Sequence, residues 1–191
     1  MPTGGWQVYS LVARNIAPHS RVKNPTRLRA LDIGIGGGRW GLLWRDVMEW
    51  RAGRYHKSDW VYTLHGIEAW EAYRGPCWDF YDDILIGSIQ DHVDTLIERE
   101  PYDFIFCMDV IEHVPKAIGV DILDRLIRHT RNRLLISFPD GSNAEHALKQ
   151  GEVLGNHYED HISLWTVDEL AQRYDILDRH NNGFAAFRGQ G

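Results

Sequence analysis

The sequence predicts an α/β fold: a doubly wound, mostly parallel sheet with helices on both faces. Apolar segments of strand length alternate with amphipathic segments of helix length along most of the 191 residues. Residues 104–108 and 134–136 are apolar without alternation, as parallel strands buried on both faces require. Ile176-Leu177 and residues 183–187 predict a closing antiparallel hairpin.

Residues 6–16 predict a short helix, and Asn24-Pro25-Thr26 a break. Residues 28–33 predict a buried strand. The helix expected over 40–50 places Leu42, Leu43, Val47 and Met48 near one face. The polar stretch 52–59 reads as an irregular insertion. A second strand is expected over 61–67, ending at Glu68, and a short third over 84–86. Residues 88–98 predict a helix with Ile89, Val93, Leu96 and Ile97 on one side. A fourth strand (102–108), a helix (121–130) and a fifth strand (133–138) follow, the last ended by Pro139-Asp140-Gly141. A late helix is expected over 166–174, with Thr166 as N-cap and Glu169 completing a capping box. The chain reads as one domain over 1–191, with an N-terminal helical extension over about 1–27 and an insertion over about 52–60.

A formal net charge of −6 argues against general nucleic-acid binding, which needs basic surface to neutralise phosphates. No apolar run approaches the roughly 20 residues that cross a bilayer, and residues 1–6 lack the pattern of a signal peptide. Cys77 and Cys107 have no metal-ligand spacing, and Cys107 lies in an apolar run. A reducing cytoplasmic setting fits them. Six of the eight Trp fall between positions 40 and 78. They are expected to fill a core or cover the insertion, with substrate lining or a homodimer face as the alternatives.

In such a sheet ligands bind beyond the carboxyl ends of the strands. That rim carries Asp32, Glu68, Ser88, Asp109 and residues 137–140. The richest feature on it is the glycine loop after the first strand, Asp32-Ile33-Gly34-Ile35-Gly36-Gly37-Gly38. Glycine lets backbone come very close to a ligand, here a dinucleotide, a triphosphate or an adenosyl sulfonium. A triphosphate loop needs Lys-Ser/Thr after its last glycine, and Arg39-Trp40 stand there. A dinucleotide fingerprint needs glycine at position 39, and Asp32 near a pyrophosphate is a like-charge contact.

Asp32, Gly34, Gly36 and Gly38, followed by Glu68 and by the run Met108-Asp109-Val110-Ile111-Glu112-His113-Val114, resemble the class I S-adenosylmethionine-dependent methyltransferases. The resemblance spans about residues 29–165. It implies a Rossmann-like seven-stranded sheet and S-adenosyl-L-methionine as cofactor, leaving as S-adenosyl-L-homocysteine. It implies that Asp32, Gly34, Gly36 and Gly38 face the methionine end, that Glu68 takes the ribose hydroxyls, and that Met108 and Asp109 lie beside the transferring methyl. Adenine recognition would fall to Ser88 and Ile89, although the family's Gly-Asp is Gly87-Ser88 here. Asp91 is either the missing acid or a first-turn helix residue.

The segment 155–165 is the densest polar cluster and resembles a substrate-facing loop of some small-molecule methyltransferases. His113, His161 and Asp140 are the candidate catalytic groups for removing an acceptor proton. Asp109, Glu112, His113 and His161 also form a mixed carboxylate and imidazole set of metal-ligand type, against which stands a purely structural reading. The resulting expectation is in-line methyl transfer to a small-molecule acceptor, with neither nucleic acid nor membrane as partner. A non-enzymatic cofactor-binding regulator or interaction module and an NAD-dependent oxidoreductase are the rival readings.

Overall fold

The computed structural model describes residues 6–21, 27–141, 155–181 and 183–191. The expected break at Asn24-Pro25-Thr26 lies outside them. Seven strands form one sheet in the order β3-β2-β1-β4-β5-β7-β6. They are β1 (Arg29–Ile33), β2 (Thr63–Glu68), β3 (Asp83–Ile86), β4 (Tyr102–Met108), β5 (Thr130–Ser137), β6 (Ile176–His180) and β7 (Phe184–Arg188). All neighbours pair parallel from β3 through β5; β7 runs antiparallel to both β5 and β6. The closing hairpin is therefore present, inserted with β7 inside the sheet and β6 at its edge.

Each central strand is apolar on both sides because each side meets a separate core. Phe104, Phe106 and Met108 of β4 point to one face with α1 (Trp6–Ile16) and α2 (Arg39–Met48). Ile105 and Cys107 point to the other, with α3 (Ile89–Ile97), α4 (Lys116–Arg128) and α5 (Val167–Ala171). The hairpin edge is fastened to the first helix by polar contacts. Arg14 and Asn15 donate to Asp178 of β6 at 2.7 and 2.8 Å.

Three elements differ from expectation. Helix α4 starts at Lys116, five residues before the predicted position, directly after Pro115. Within the helix, Gly119 makes room for Trp165. A Cβ there would lie 2.6 Å from the indole Cζ2. Strand β5 starts early, at Thr130, whose hydroxyl donates to the Leu126 carbonyl at 2.6 Å and closes the end of α4. Helix α5 is short: Thr166 caps it by accepting from the Glu169 amide, while the Glu169 carboxylate meets Lys116. Beyond Ala171, Arg173 and Tyr174 turn toward Asp124 on α4.

Trp40, Trp44, Tyr62, Trp78 and Tyr81 join α2 to the segment after β2 in one core. Trp44 is fully buried among Tyr62, Phe104 and Phe106. The Arg45 guanidinium, also fully buried, lies 4.2 Å from the Trp60 ring centre. It donates to the Tyr62 and Phe80 carbonyls and pairs with Asp82 at 2.9 Å. No helix among the described residues is long and apolar enough to cross a membrane.

Candidate functional site

The glycine loop leaves β1 and enters α2 through three left-handed residues: Gly34, Gly36 and Gly38, with φ of 76°, 51° and 80°. Side chains rarely tolerate this conformation. Gly34 and Gly38 are also held by neighbours: a Cβ on either would stand 2.6 Å from Val110 Cγ2 or Cys77 Cβ, respectively. One acceptor and one donor pin the loop's middle. The Gly36 amide donates to Glu68 Oε2 at 2.7 Å, and the Gly36 carbonyl accepts from Trp78 Nε1 at 2.8 Å.

Glu68 ends β2 and also accepts from the Trp70 amide through Oε1 at 2.8 Å. Burial raises its carboxyl above the usual range, and the Gly36 and Trp70 amides pull it back. Each oxygen keeps a second lone pair for a ligand. Asp32 sits beneath the loop, fully buried, and is not among the residues that line the cleft. Its Oδ2 accepts from the Tyr81 hydroxyl, while Oδ1 is buried with no hydrogen-bond partner. Burial outweighs the Tyr81 bond and pushes the Asp32 carboxyl up to about 7.

A cleft of about 980 Å³, open to solvent, lies over the strand ends. Of the residues expected to hold a cofactor, Gly34, Gly36, Glu68, Ser88, Ile89, Met108 and Asp109 line it, whereas Asp32 and Gly38 stand behind the wall. Ser88 caps α3. Its hydroxyl oxygen accepts from the Asp91 amide at 3.3 Å, and the Asp91 carboxylate accepts from the Ser88 amide at 3.0 Å, a reciprocal capping box. Asp91 is thus a first-turn helix residue. Asp109 ends β4 with a φ of 57°, a backbone cost of about 1–3 kcal/mol for a residue with a side chain. Ser137 holds it there, accepting from its amide at 2.8 Å and donating to Oδ1 at 2.9 Å.

The far wall comes from Tyr73 and from Asn156, Tyr158 and Glu159 of the polar segment. The Tyr73 hydroxyl donates to Glu159 Oε1 at 2.7 Å and accepts from Asn156 Nδ2 at 3.2 Å. Desolvation and Glu159 raise the Tyr73 phenol to about 12. The described lining includes Glu68, Asp109 and Glu159 beside the cation Arg39, a balance that favours a positively charged ligand.

His113 lines the cleft, and His161 packs behind it with ring centres 5.0 Å apart. His113 Nδ1 stands 3.1 Å from the Asp160 carbonyl, and burial lowers its pKa. Glu112 is 2% exposed, and burial together with Asp109 drives its carboxyl well above the usual range. Asp140 stands apart from the cleft lining, bridged to Trp165. Tyr73 and Tyr81 escaped sequence reasoning. Tyr73 ends one 3-10 turn between β2 and β3 and Tyr81 directly follows another, where no periodicity marks a role.

No curated protein sequence matches the chain. Solved structures do resemble it. Monomeric WbdD aligns with 98% of this chain at 15% identity and a TM-score of 0.59, and the chain spans 42% of that protein. The magnesium protoporphyrin IX methyltransferase of Synechocystis PCC 6803, solved with S-adenosylhomocysteine, aligns with 98% of this chain. It shows 14% identity and a TM-score of 0.56, and 88% of its own length is covered. The plantazolicin methyltransferase BpumL aligns with 86% at 18% identity and a TM-score of 0.53, with 61% of its length covered. At these identities the likeness establishes the fold. The sequence itself matches a methyltransferase-domain family over residues 7–176, which take in β1 to β5, and the chain therefore belongs to that methyltransferase-domain family.

Proposed function

We propose that this chain is an S-adenosylmethionine-dependent methyltransferase acting on a small molecule. The observation that carries the reading is the acid-flanked cleft built where the left-handed glycine loop, Glu68 and Asp109 meet at the strand ends. A cation with a nucleoside suits it. The glycine cradle has no Cβ in the way, Glu68 has lone pairs for a diol, and Ile89 and Met108 offer apolar contact. The solved plantazolicin and protoporphyrin methyltransferases, both bound to S-adenosylhomocysteine, support the same ligand.

When bound, S-adenosylmethionine supplies an electrophilic methyl group with a neutral leaving sulfide. The residues of the chain then have chiefly to position and desolvate. Gly34 and Gly36 shape the methionine end. Asp32 acts from below, by fixing Tyr81 and the first turn of α2. Glu68 orients the ribose, and Ser88 and Ile89 flank the adenine. Met108 and Asp109 border the reacting centre, with Asp109 held in its strained conformation by Ser137. In-line transfer would bring the acceptor from the side of Tyr73, His113, Asn156 and Tyr158. A concave cleft lined by apolar and a few polar side chains suits a small molecule, and the acidic balance of the chain opposes nucleic acid. His113 lines that side of the cleft; Asp140 takes no part in this arrangement.

Calorimetry with S-adenosylhomocysteine and with NAD tests the cofactor. Micromolar binding of the first and none of the second is expected, and the reverse would sink the proposal. Transfer of labelled methyl to a panel of hydroxyl and amine metabolites then tests the activity.

A further inference from the structure

Behind the cleft wall is a side-chain cluster that the positioning of a methyl donor does not use. Glu112 belongs to a single 3-10 turn after β4, residues Ile111–His113. Its carboxylate is buried, and neither oxygen has a hydrogen-bond partner. Burying a carboxylate without donors is among the costliest arrangements a fold can hold, so the two free oxygens call for a cation or a proton. Glu112 Oε1 lies 4.0 Å from His113 Nε2. One ligand atom each from Glu112, His113 and His161 falls within 4.8 Å of the others.

The surroundings hold these groups ready. A carbonyl can only accept, so the contact between His113 Nδ1 and the Asp160 oxygen at 3.1 Å fixes the proton on Nδ1. The lone pair is then on Nε2, which faces Glu112. Metal-binding imidazoles are oriented in this way, by an acceptor that holds the other ring N–H. The loop carrying His161 is tied to the same turn: the Ile162 and Ser163 amides both donate to the Glu112 carbonyl, at 2.8 and 3.0 Å. Ser163 and Trp165 further donate to the Ile111 carbonyl at 3.1 Å. Asp109 and Glu159 add negative charge nearby.

We propose that Glu112, His113 and His161 bind one divalent transition-metal ion, Zn²⁺ being the representative case. Donors on one zinc stand about 4 Å apart or less, so small side-chain rotations close the set. One carboxylate and two imidazoles suit zinc or its transition-metal neighbours, whereas Mg²⁺ and Ca²⁺ favour oxygen-only shells. Three protein ligands leave a coordination position open, as in catalytic rather than structural zinc sites. His113 lines the cleft, so that position faces it, and the ligand it would take is an oxygen donor such as a hydroxyl or carboxylate. Metal binding stands independently of methyl transfer; only the link to the acceptor rests on that reading.

The test is calorimetric titration of the chelator-treated full chain with Zn²⁺ and Mg²⁺, with Co²⁺ as an optical probe. One Zn²⁺ per chain and a visible Co²⁺ absorption band are expected. Glu112→Gln, which keeps shape, and His161→Ala, at a less buried position, should each weaken Zn²⁺ binding at least 100-fold. Their circular dichroism should match the parent. Absence of Zn²⁺ binding, binding of Mg²⁺ alone, or Zn²⁺ affinity unchanged in both variants would overturn the proposal. S-adenosylhomocysteine binding to the metal-free chain is measured in parallel. Its loss with Zn²⁺ binding intact would count against the methyltransferase reading and leave the metal site standing.

Discussion

The Tyr81 hydroxyl donates to Asp32 Oδ2 at 2.5 Å and accepts from the Gly41 amide at 3.1 Å. One phenol thus joins the end of β1 to the first turn of α2, beneath the glycine loop. The close approach depends on Gly41, where a Cβ would stand 2.6 Å from the phenol ring. The acid that begins the loop therefore works through a residue almost fifty positions away in the sequence.

Removing that phenol should loosen the loop from below. Tyr81→Phe leaves Asp32 with both oxygens unpartnered in the core and the Gly41 amide without its acceptor. A loss of about 1–3 kcal/mol is expected for a buried polar group stripped of its partner. Thermal unfolding should show the drop, and S-adenosylhomocysteine affinity should fall with it. Unchanged values of both would mean that the contact has no structural role.

Asp32 should also shape the pH dependence of stability. Its folded-state carboxyl titrates near 7, against an ordinary value of 3.8, mainly through burial. The folded chain therefore holds this proton more tightly than the unfolded one. The stabilisation is fully present below about pH 4 and is lost as pH rises through 7. At 1.36 kcal/mol per pKa unit, the loss is on the order of 4 kcal/mol. Asp32→Asn cannot titrate there, so its stability relative to the parent should rise by about that amount between pH 4 and pH 8. Denaturant melts at the two ends of the range measure it, and a constant difference would contradict the placement of Asp32.

Gly36→Val tests the cradle. The position holds a φ of 51°, which a β-branched residue adopts only with strain, and the strain falls on a backbone that Glu68 and Trp78 hold by its amide and carbonyl. S-adenosylhomocysteine affinity should fall at least 100-fold, about 2.7 kcal/mol or more. Calorimetry on folded variant protein reads this out, and retained affinity would remove the loop from the binding site.

Gly119→Ala tests a contact between α4 and the polar segment. Alanine is the better helix former by about 1 kcal/mol, so a free helix position would be stabilised. Here the Cβ meets Trp165 at 2.6 Å, and overpacking of this kind costs about 1–3 kcal/mol. A net loss of stability is expected, with weaker Zn²⁺ binding because Trp165 and Ser163 anchor the loop that carries His161. A gain in melting temperature would contradict the packing.

Much of the fold was legible because its signals are local. Residues 104–108 are apolar on both faces, and β4 has the bounds its sequence predicts. The glycine spacing marks a loop of left-handed residues, and Gly34, Gly36 and Gly38 adopt that conformation. The start of α4 is not legible locally: its first turns follow Pro115 and carry Gly119, whose close contact is with Trp165 on another element. Leu42 was placed on the buried face of α2, yet Trp40 and Trp44 take that face with Leu43, because the aromatic core after β2 lies on their side.

The sequence alone determined the sheet, the order of its helices, the glycine loop and the acids that end β2 and β4, since each rests on periodicity or spacing within a few residues. Tertiary structure decided that Asp32 lies under the loop with Tyr81, that Trp78 braces Gly36, and that Glu112, His113 and His161 converge. Those contacts join irregular segments brought together only by the packing of the whole sheet. No local period encodes which of them will meet.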